Sequence, residues 1–164
     1  MKIAVEVPEI ETIEQDTGGL ADSINQEIYR LCLEYAEGAK KRAVEYREAF
    51  LATGGTKEEW AAHNIEIWVW YELKSQTADR ISFVVQGTEN WSSAYNEGKY
   101  YNLDLKNGKR LSLKDILGED YKKIADDAVR SQIPEKERET GVKFWKAEEG
   151  GFEGITDETP FYIN

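Results

Sequence analysis

This chain of 164 residues sets 32 Asp and Glu against 21 Lys and Arg, for a net charge of −11. That balance repels nucleic-acid phosphates and anionic membrane surfaces, and it speeds encounter with a basic partner by roughly 10–1000-fold at low salt. The lone cysteine excludes an intrachain disulfide and a thiolate metal cluster, and 40% hydrophobic content with three prolines describes a globular chain able to bury one core. One domain is expected, with no run approaching the ~18–20 apolar residues of a membrane span and no signal peptide before Val5. A charge that serves only solubility is the plain alternative to a basic partner.

Ile3, Val5 and Val7 alternate with polar or small residues, which predicts a short strand that Pro8 ends or confines to an edge. Leu20, Ile24, Ile28, Leu31, Tyr35, Ala39, Ala43, Tyr46 and Phe50 recur at three- and four-residue steps, the stripe of one long amphipathic helix. Asp16 or Thr17 would cap its start, and Gly54 with Gly55 would stop it. Cys32, between Leu31 and Leu33, reads as a packing residue. Thr56 and Glu59 form a capping box that opens a further turn carrying Trp60.

Three strands follow. The first, residues 64–74, turns Ile65, Ile67, Val69, Tyr71 and Leu73 to one face and Glu66, Trp68, Trp70 and Glu72 to the other. The second, residues 80–88, carries Ile81, Phe83 and Val85 on one side. The third, residues 99–105, turns Tyr101, Leu103 and Leu105 inward and Tyr100, Asn102 and Asp104 outward. Asn107-Gly108 predicts a two-residue type I′ hairpin, because that turn needs positive φ at both positions. Ser112 and Asp115 make a second capping box, and Tyr121, Ile124, Ala125, Ala128, Val129 and Ile133 stripe a helix expected to end near Pro134. Residues 134–141 then read as a charged connector, residues 150–154 as an acidic Gly-rich loop, and Phe161-Tyr-Ile163 as a final strand. The expected fold is α+β: a mainly antiparallel sheet with a long N-terminal helix and a second helix packed on it.

Catalytic motifs are sparse. One histidine, His63, forbids a multi-histidine metal site, and neither a nucleophile elbow nor a phosphate-binding glycine loop is present. His63 reads as a solvated or capping residue. Glu148, Glu149, Glu153, Asp157 and Glu158 cluster in one loop, but the spacing fails an EF-hand, and 32 acids make such clusters inevitable. No cofactor, no metal and no enzymatic activity are expected. The aromatics say more. Trp68, Trp70 and Tyr100 share an outward face with Glu66 and Glu72, which suits stacking on a sugar or anchoring a basic protein. The long helix lying over that face would instead make the two tryptophans core. Trp91 and Tyr95, flanked by Asn90, Ser92, Ser93 and Asn96, read as an exposed loop between the second and third strands.

Ser82-Phe-Val-Val85, Tyr100-Tyr-Asn-Leu-Asp-Leu105, Gly108-Lys-Arg-Leu-Ser-Leu-Lys-Asp-Ile-Leu-Gly118, Gly151-Phe-Glu-Gly-Ile155 and Phe161-Tyr-Ile-Asn164 resemble the DUF3298 domain. The N-terminal strand and helix, with Ala21-Asp-Ser-Ile-Asn-Gln-Glu-Ile28, resemble the DUF4163 part that usually precedes it. The resemblance implies one ectodomain, residues 1–75 corresponding to the first part and 76–164 to the second. Where many family members carry a Gly-Gly-Ala-His-Gly-like segment, this chain has Thr88-Glu-Asn-Trp-Ser-Ser-Ala-Tyr95, similar to the subgroup of lysozyme-sensing anti-sigma factors. Members of that subgroup place a sigma-binding segment and a membrane helix before the domain, and the family continues past the equivalent of Asn164 into another strand.

That resemblance implies a sensor domain on the extracellular face of a bacterial membrane. It would bind lysozyme or another basic wall hydrolase and so trigger regulated proteolysis under cell-envelope stress. Trp91, Ser92, Ser93 and Tyr95 would form the contact loop, with Glu89, Glu97, Glu148 and Glu149 steering and rimming it. The alternative is a carbohydrate-binding accessory domain of a peptidoglycan-modifying enzyme, with Trp68, Trp70 and Tyr100 stacking on peptidoglycan fragments. A third reading, a small hydrolase, would use Glu149 or Glu153.

Overall fold

The computed structural model describes residues 1–11, 19–90 and 94–164 and is α+β. Its elements are β1 (Lys2–Val5), α1 (Leu20–Ala52), α2 (Lys57–Ala61), β2 (Glu66–Gln76), β3 (Arg80–Asn90), β4 (Ala94–Asp104), β5 (Lys109–Arg110), α3 (Leu113–Leu117) and α4 (Tyr121–Thr140). A short 3-10 turn, Ala147–Glu149, follows. Two compact units form: residues 1–110 with 162–164, and residues 111–161. The expected internal division at residue 75 falls inside β2.

In the first unit the five strands lie in chain order, with β1 parallel to β2 and every other pair antiparallel. The strand alternation reads as expected: Ile67, Val69, Phe83, Val85, Tyr101 and Leu103 share one face and are buried. Against it α1 lays Ala21, Ile24, Ile28, Cys32, Ala36, Ala39 and Ala43, which recur at helical spacing and are buried too. Each fully buried Ile here contributes about 1.5–3 kcal/mol relative to exposure. One strand position has to be glycine. A Cβ on Gly87 would sit 2.4 Å from the Tyr35 ring, so the absent side chain lets β3 pass under α1.

Polar groups tie the same two layers. Asn25 of α1 accepts from the Ile10 N–H (2.8 Å) and donates to the Ile10 carbonyl (3.0 Å), imitating a strand partner for an isolated residue. Glu27 collects Lys99 (2.7 Å), the Tyr101 hydroxyl (3.1 Å) and Arg110. Burial pushes the Glu27 carboxyl up, but these donors and cations outweigh it and hold it below the usual range.

Both predicted capping boxes form, Thr56 with Glu59 and Ser112 with Asp115. The cap expected at Asp16 or Thr17 lies outside the described residues, and the residue preceding α1 is Gly19 in the left-handed region. Asn107-Gly108 does turn a hairpin, but through residues 105–108 rather than two residues, because the Asp104 carboxylate accepts from both the Asn107 backbone N–H (2.9 Å) and its side-chain amide (2.8 Å). Asn102 and Asp104, expected on the face turned away from the core, are buried there. The Ser82 hydroxyl donates to Asn102 (2.7 Å), and the Ile163 N–H donates to Ser82 (2.9 Å).

In the second unit α4 does not stop at Pro134. It runs on to Thr140 and ends at Gly141, whose φ of 70° suits a helix terminus. The proline removes one N–H, but its own carbonyl accepts from the Arg138 side chain (3.3 Å) and the flanking turns persist. Asp126 and Glu137, eleven residues and so three turns apart on α4, accept the backbone N–H groups of Ile155 (2.6 Å) and Phe144 (3.0 Å). These two acids hold the irregular segment along the helix. Phe161-Tyr-Ile163 is not a strand: Ile163 bonds to serine hydroxyls, donating to Ser82 and accepting from Ser75 (2.6 Å).

Candidate functional site

The β3–β4 hairpin is longer than its side chains suggest. Its register runs without interruption from Arg80 opposite Asp104 to Asn90 opposite Ala94, so most of the expected 90–96 loop is strand. The asparagines that made it look like a loop satisfy the sheet instead. Asn90 accepts from the Glu66 N–H (2.9 Å), and Asn96 accepts from the Thr88 hydroxyl across the pair (2.8 Å). Residues 91–93 join the two strands; Trp91, Ser92 and Ser93 therefore lie outside the described residues. The backbone of Tyr95 belongs to β4, opposite Glu89, while its side chain is likewise outside them.

Glu89 is corrected. It is not a solvated rim acid: its side chain is 3% exposed and pairs with Arg42 of α1, 3.4 Å from Nε and closer at the guanidinium tip. Glu89 faces the helix because it keeps the parity of Phe83 and Val85, and a buried carboxylate there needs a cation. Arg42 was the functional signal missed, since it lies 47 positions away in sequence. Glu97 is exposed, as expected. Glu148 and Glu149 belong to the second unit and are exposed, with the Glu149 carboxylate accepting from the Lys146 N–H (3.1 Å).

The aromatic strand face is not covered by α1, which packs on the opposite side; it is exposed at Trp68 and Tyr100 but buried at Val84, Ser82 and Asn102. Trp68 is 44% exposed, Tyr100 36%, and Trp70 is half-buried. Lys2 lies 5.4 Å from the Trp68 ring centroid. Tyr162 stacks on Tyr100 at 6.3 Å, and Lys74 sits 4.8 Å from the Tyr162 ring and 2.7 Å from Glu72. Tyr162 and Lys74 thus join this face, which the strand reading of the final segment did not foresee. Such a surface can stack on flat apolar rings and accept cations or hydroxyls at its acids.

The second unit carries a further concavity of about 610 Å³ between α4 and residues 143–152. Val129, Ile133, Phe144, Trp145 and Phe152 line it, with Lys136 and Lys143 at hand. Trp145 is 72% exposed. Its only sequence signal was an isolated aromatic pair in a polar stretch.

His63 is half-buried and caps the end of α2, as one of the two expected readings had it, with its Nδ1 3.2 Å from the Glu59 carbonyl. It stacks on Trp60 at 4.7 Å and meets Phe50 edge-on at 5.0 Å, closing a small aromatic cluster below α1. Cys32 is fully buried, and burial pushes its thiol up. Among the described residues no group of three His, Cys, Asp or Glu is arranged to hold a metal ion, and no helix is long and apolar enough to cross a membrane.

No family model matches this sequence, and no curated protein does. Among solved structures the chain is similar to a member of the DUF3298 family from Bacteroides fragilis, at 18% identity and a TM-score of 0.49, over 88% of this chain and 65% of that one. It is also similar to a DUF3298 family protein from Pseudomonas aeruginosa, at 14% identity and a TM-score of 0.38, over 58% of this chain and 44% of that one. The chain thus spans about two thirds of the length of the first and less than half of the second.

Proposed function

We propose that this chain is a binding domain rather than an enzyme: an extracellular sensor for lysozyme or a similar basic wall hydrolase, whose capture starts the proteolysis of a membrane-anchored anti-sigma factor. The observation that carries this reading is the β3–β4 hairpin, paired along eleven residues of each strand and anchored at its far end by the Arg42–Glu89 pair. So long a paired stem holds the strand ends Asn90 and Ala94, which flank the proposed contact residues, in fixed register. In this reading Trp91, Ser92, Ser93 and Tyr95 make the contact, and Glu97, Glu148 and Glu149, within a net charge of −11, steer a cationic partner towards it.

Calorimetric titration of the chain with lysozyme tests this. A complex is expected at low salt, weakening as the Debye length shrinks to about 8 Å at physiological ionic strength. Trp91→Ala should weaken it by about thirtyfold, the scale of an aromatic hot spot, while an exposed change on α1 such as Glu45→Gln leaves it intact. No heat of binding at low salt refutes the reading, and an unchanged affinity in the Trp91 variant refutes the contact assignment.

The open face bearing Trp68 and Tyr100 favours a second reading, carbohydrate binding by a cell-wall accessory domain. Peptidoglycan fragments would then bind with little salt dependence, and Trp68→Ala would abolish the binding. Salt-independent capture of wall fragments without any affinity for lysozyme would select this second reading over the first.

A further inference from the structure

β4 is the open edge of the sheet. Its outer side is taken up only at Leu103 and Asp104, where the two-residue β5 pairs with it. Residues 94–101 have no strand partner on that side among the described residues, and residues 96–100 are exposed. An exposed edge this long is a template for another strand unless something blocks it. Neither a proline nor a bulge does so: the β3–β4 register is unbroken, and the sequence of β4 is Ala-Tyr-Asn-Glu-Gly-Lys-Tyr-Tyr-Asn-Leu-Asp.

Gly98 stands in the middle of this edge, and its own fold does not require it. Its φ is not among the positive values, and a Cβ built there would meet Val84, Tyr100 and Gln86 at 3.4–4.0 Å, ordinary contact. Glycine weakens a strand and often marks the close approach of another backbone. The charges on either side of it are opposite, Glu97 before and Lys99 after.

We propose that β4 pairs antiparallel with β4 of a second copy of this chain, about a two-fold axis through Gly98. Such an interface is isologous, so whatever residue i meets at j, j meets at i. Glu97 of each copy then lies directly opposite Lys99 of the other, on the same face, giving two opposite-charge pairs flanking the axis. Asn96 lies opposite Tyr100. The residue on the axis always faces its own copy, so a charged side chain there would repel itself and a neutral glycine does not. A one-residue slip would turn all these side chains to the wrong face, which makes the register specific. The result is a continuous sheet across two copies, with the open aromatic face of each on the same side.

Sedimentation and light scattering at about 150 mM salt, where the net charge of each copy is largely screened, read the association directly. The unmodified chain is expected to dimerise with rising concentration. Glu97→Lys sets two lysines against each other on both sides of the axis and should weaken the dimer by about tenfold or more. Adding Lys99→Glu to the same chain restores complementarity and the dimer. Lys99 also pairs with Glu27 within the fold, so a second measurement avoids that residue. Gly98→Cys has room for its side chain and should cross-link to its own copy under mild oxidation, far faster than Lys41→Cys on the exposed side of α1. A chain that stays monomeric at every concentration, or a Gly98→Cys variant that cross-links no faster than the α1 control, overturns the proposal. Undiminished dimerisation of Glu97→Lys overturns the register.

Discussion

Replacing Arg42 by alanine tests whether the hairpin depends on a helix residue to hold it. The Glu89 side chain is 3% exposed, whereas Arg42 is 47% exposed, so the pair is buried at one end and wet at the other. At the 3.4 Å separation from Nε and an effective dielectric of about 20, the bare attraction is about 5 kcal/mol. Desolvation of the carboxylate offsets much of that, and the water around the guanidinium screens more. Losing the guanidinium while the carboxylate stays buried should therefore cost about 2–3 kcal/mol, below the range for fully buried pairs and above that for surface ones. For a unit of this size that is a fall in Tm of about 6–15 °C. Glu89→Gln keeps the shape and removes the buried charge, so it should cost less than Arg42→Ala, and the double variant should cost less than the sum. Thermal melts followed by circular dichroism of all four chains measure the coupling. If Arg42→Ala melts within 2 °C of the unmodified chain, about the effect of an exposed pair, the buried-pair account fails.

Two further outcomes follow from the same core. Gly87→Ala places a methyl 2.4 Å from the Tyr35 ring and should destabilise by about 1–3 kcal/mol, with Tyr35→Ala relieving the clash in the double variant; additive losses in urea melts would disprove the contact. Tyr101 titrates well above the usual tyrosine range because it is buried and its hydroxyl lies beside Glu27. The unfolded chain releases that proton near pH 10 while the folded chain keeps it, so stability present below pH 10 is lost as pH rises above it. Tyr101→Phe should flatten this alkaline decline in Tm, and an unchanged slope would show that another group drives it.

Periodic elements were legible from local sequence. The stripe of α1 and the alternation of β2 and β3 required only spacing, and both short capping boxes required only residues three apart. What was missed depended on partners distant in sequence. Residues 88–90 and 94–96 lack apolar alternation, yet they are strand because backbone pairing and two asparagine side chains complete their hydrogen bonds. Glu89 looked like any other surface acid until Arg42 met it across the layers. Pro134 read as a helix end because local propensity says so, while Gly141 and the Glu137 contact with Phe144 set the actual end. At the candidate site, the aromatic face of Trp68, Trp70 and Tyr100 followed from strand parity, but its openness followed from which side α1 chose.

The Tyr162–Ile163 segment bears on how the chain is strung together. The first unit is completed by residues 162–164, so the second unit is a closed loop of roughly 50 residues, fastened at both ends. Were that loop unfolded, closing it would carry an entropic penalty of about 3–4 kcal/mol, and the contacts opposing it include two serine bonds, a ring stack and a cation over Tyr162. Lifting Tyr162 and Ile163 from the sheet would expose Ser82 and one side of Tyr100, so the aromatic strand face is wider whenever the last residues of the first unit let go.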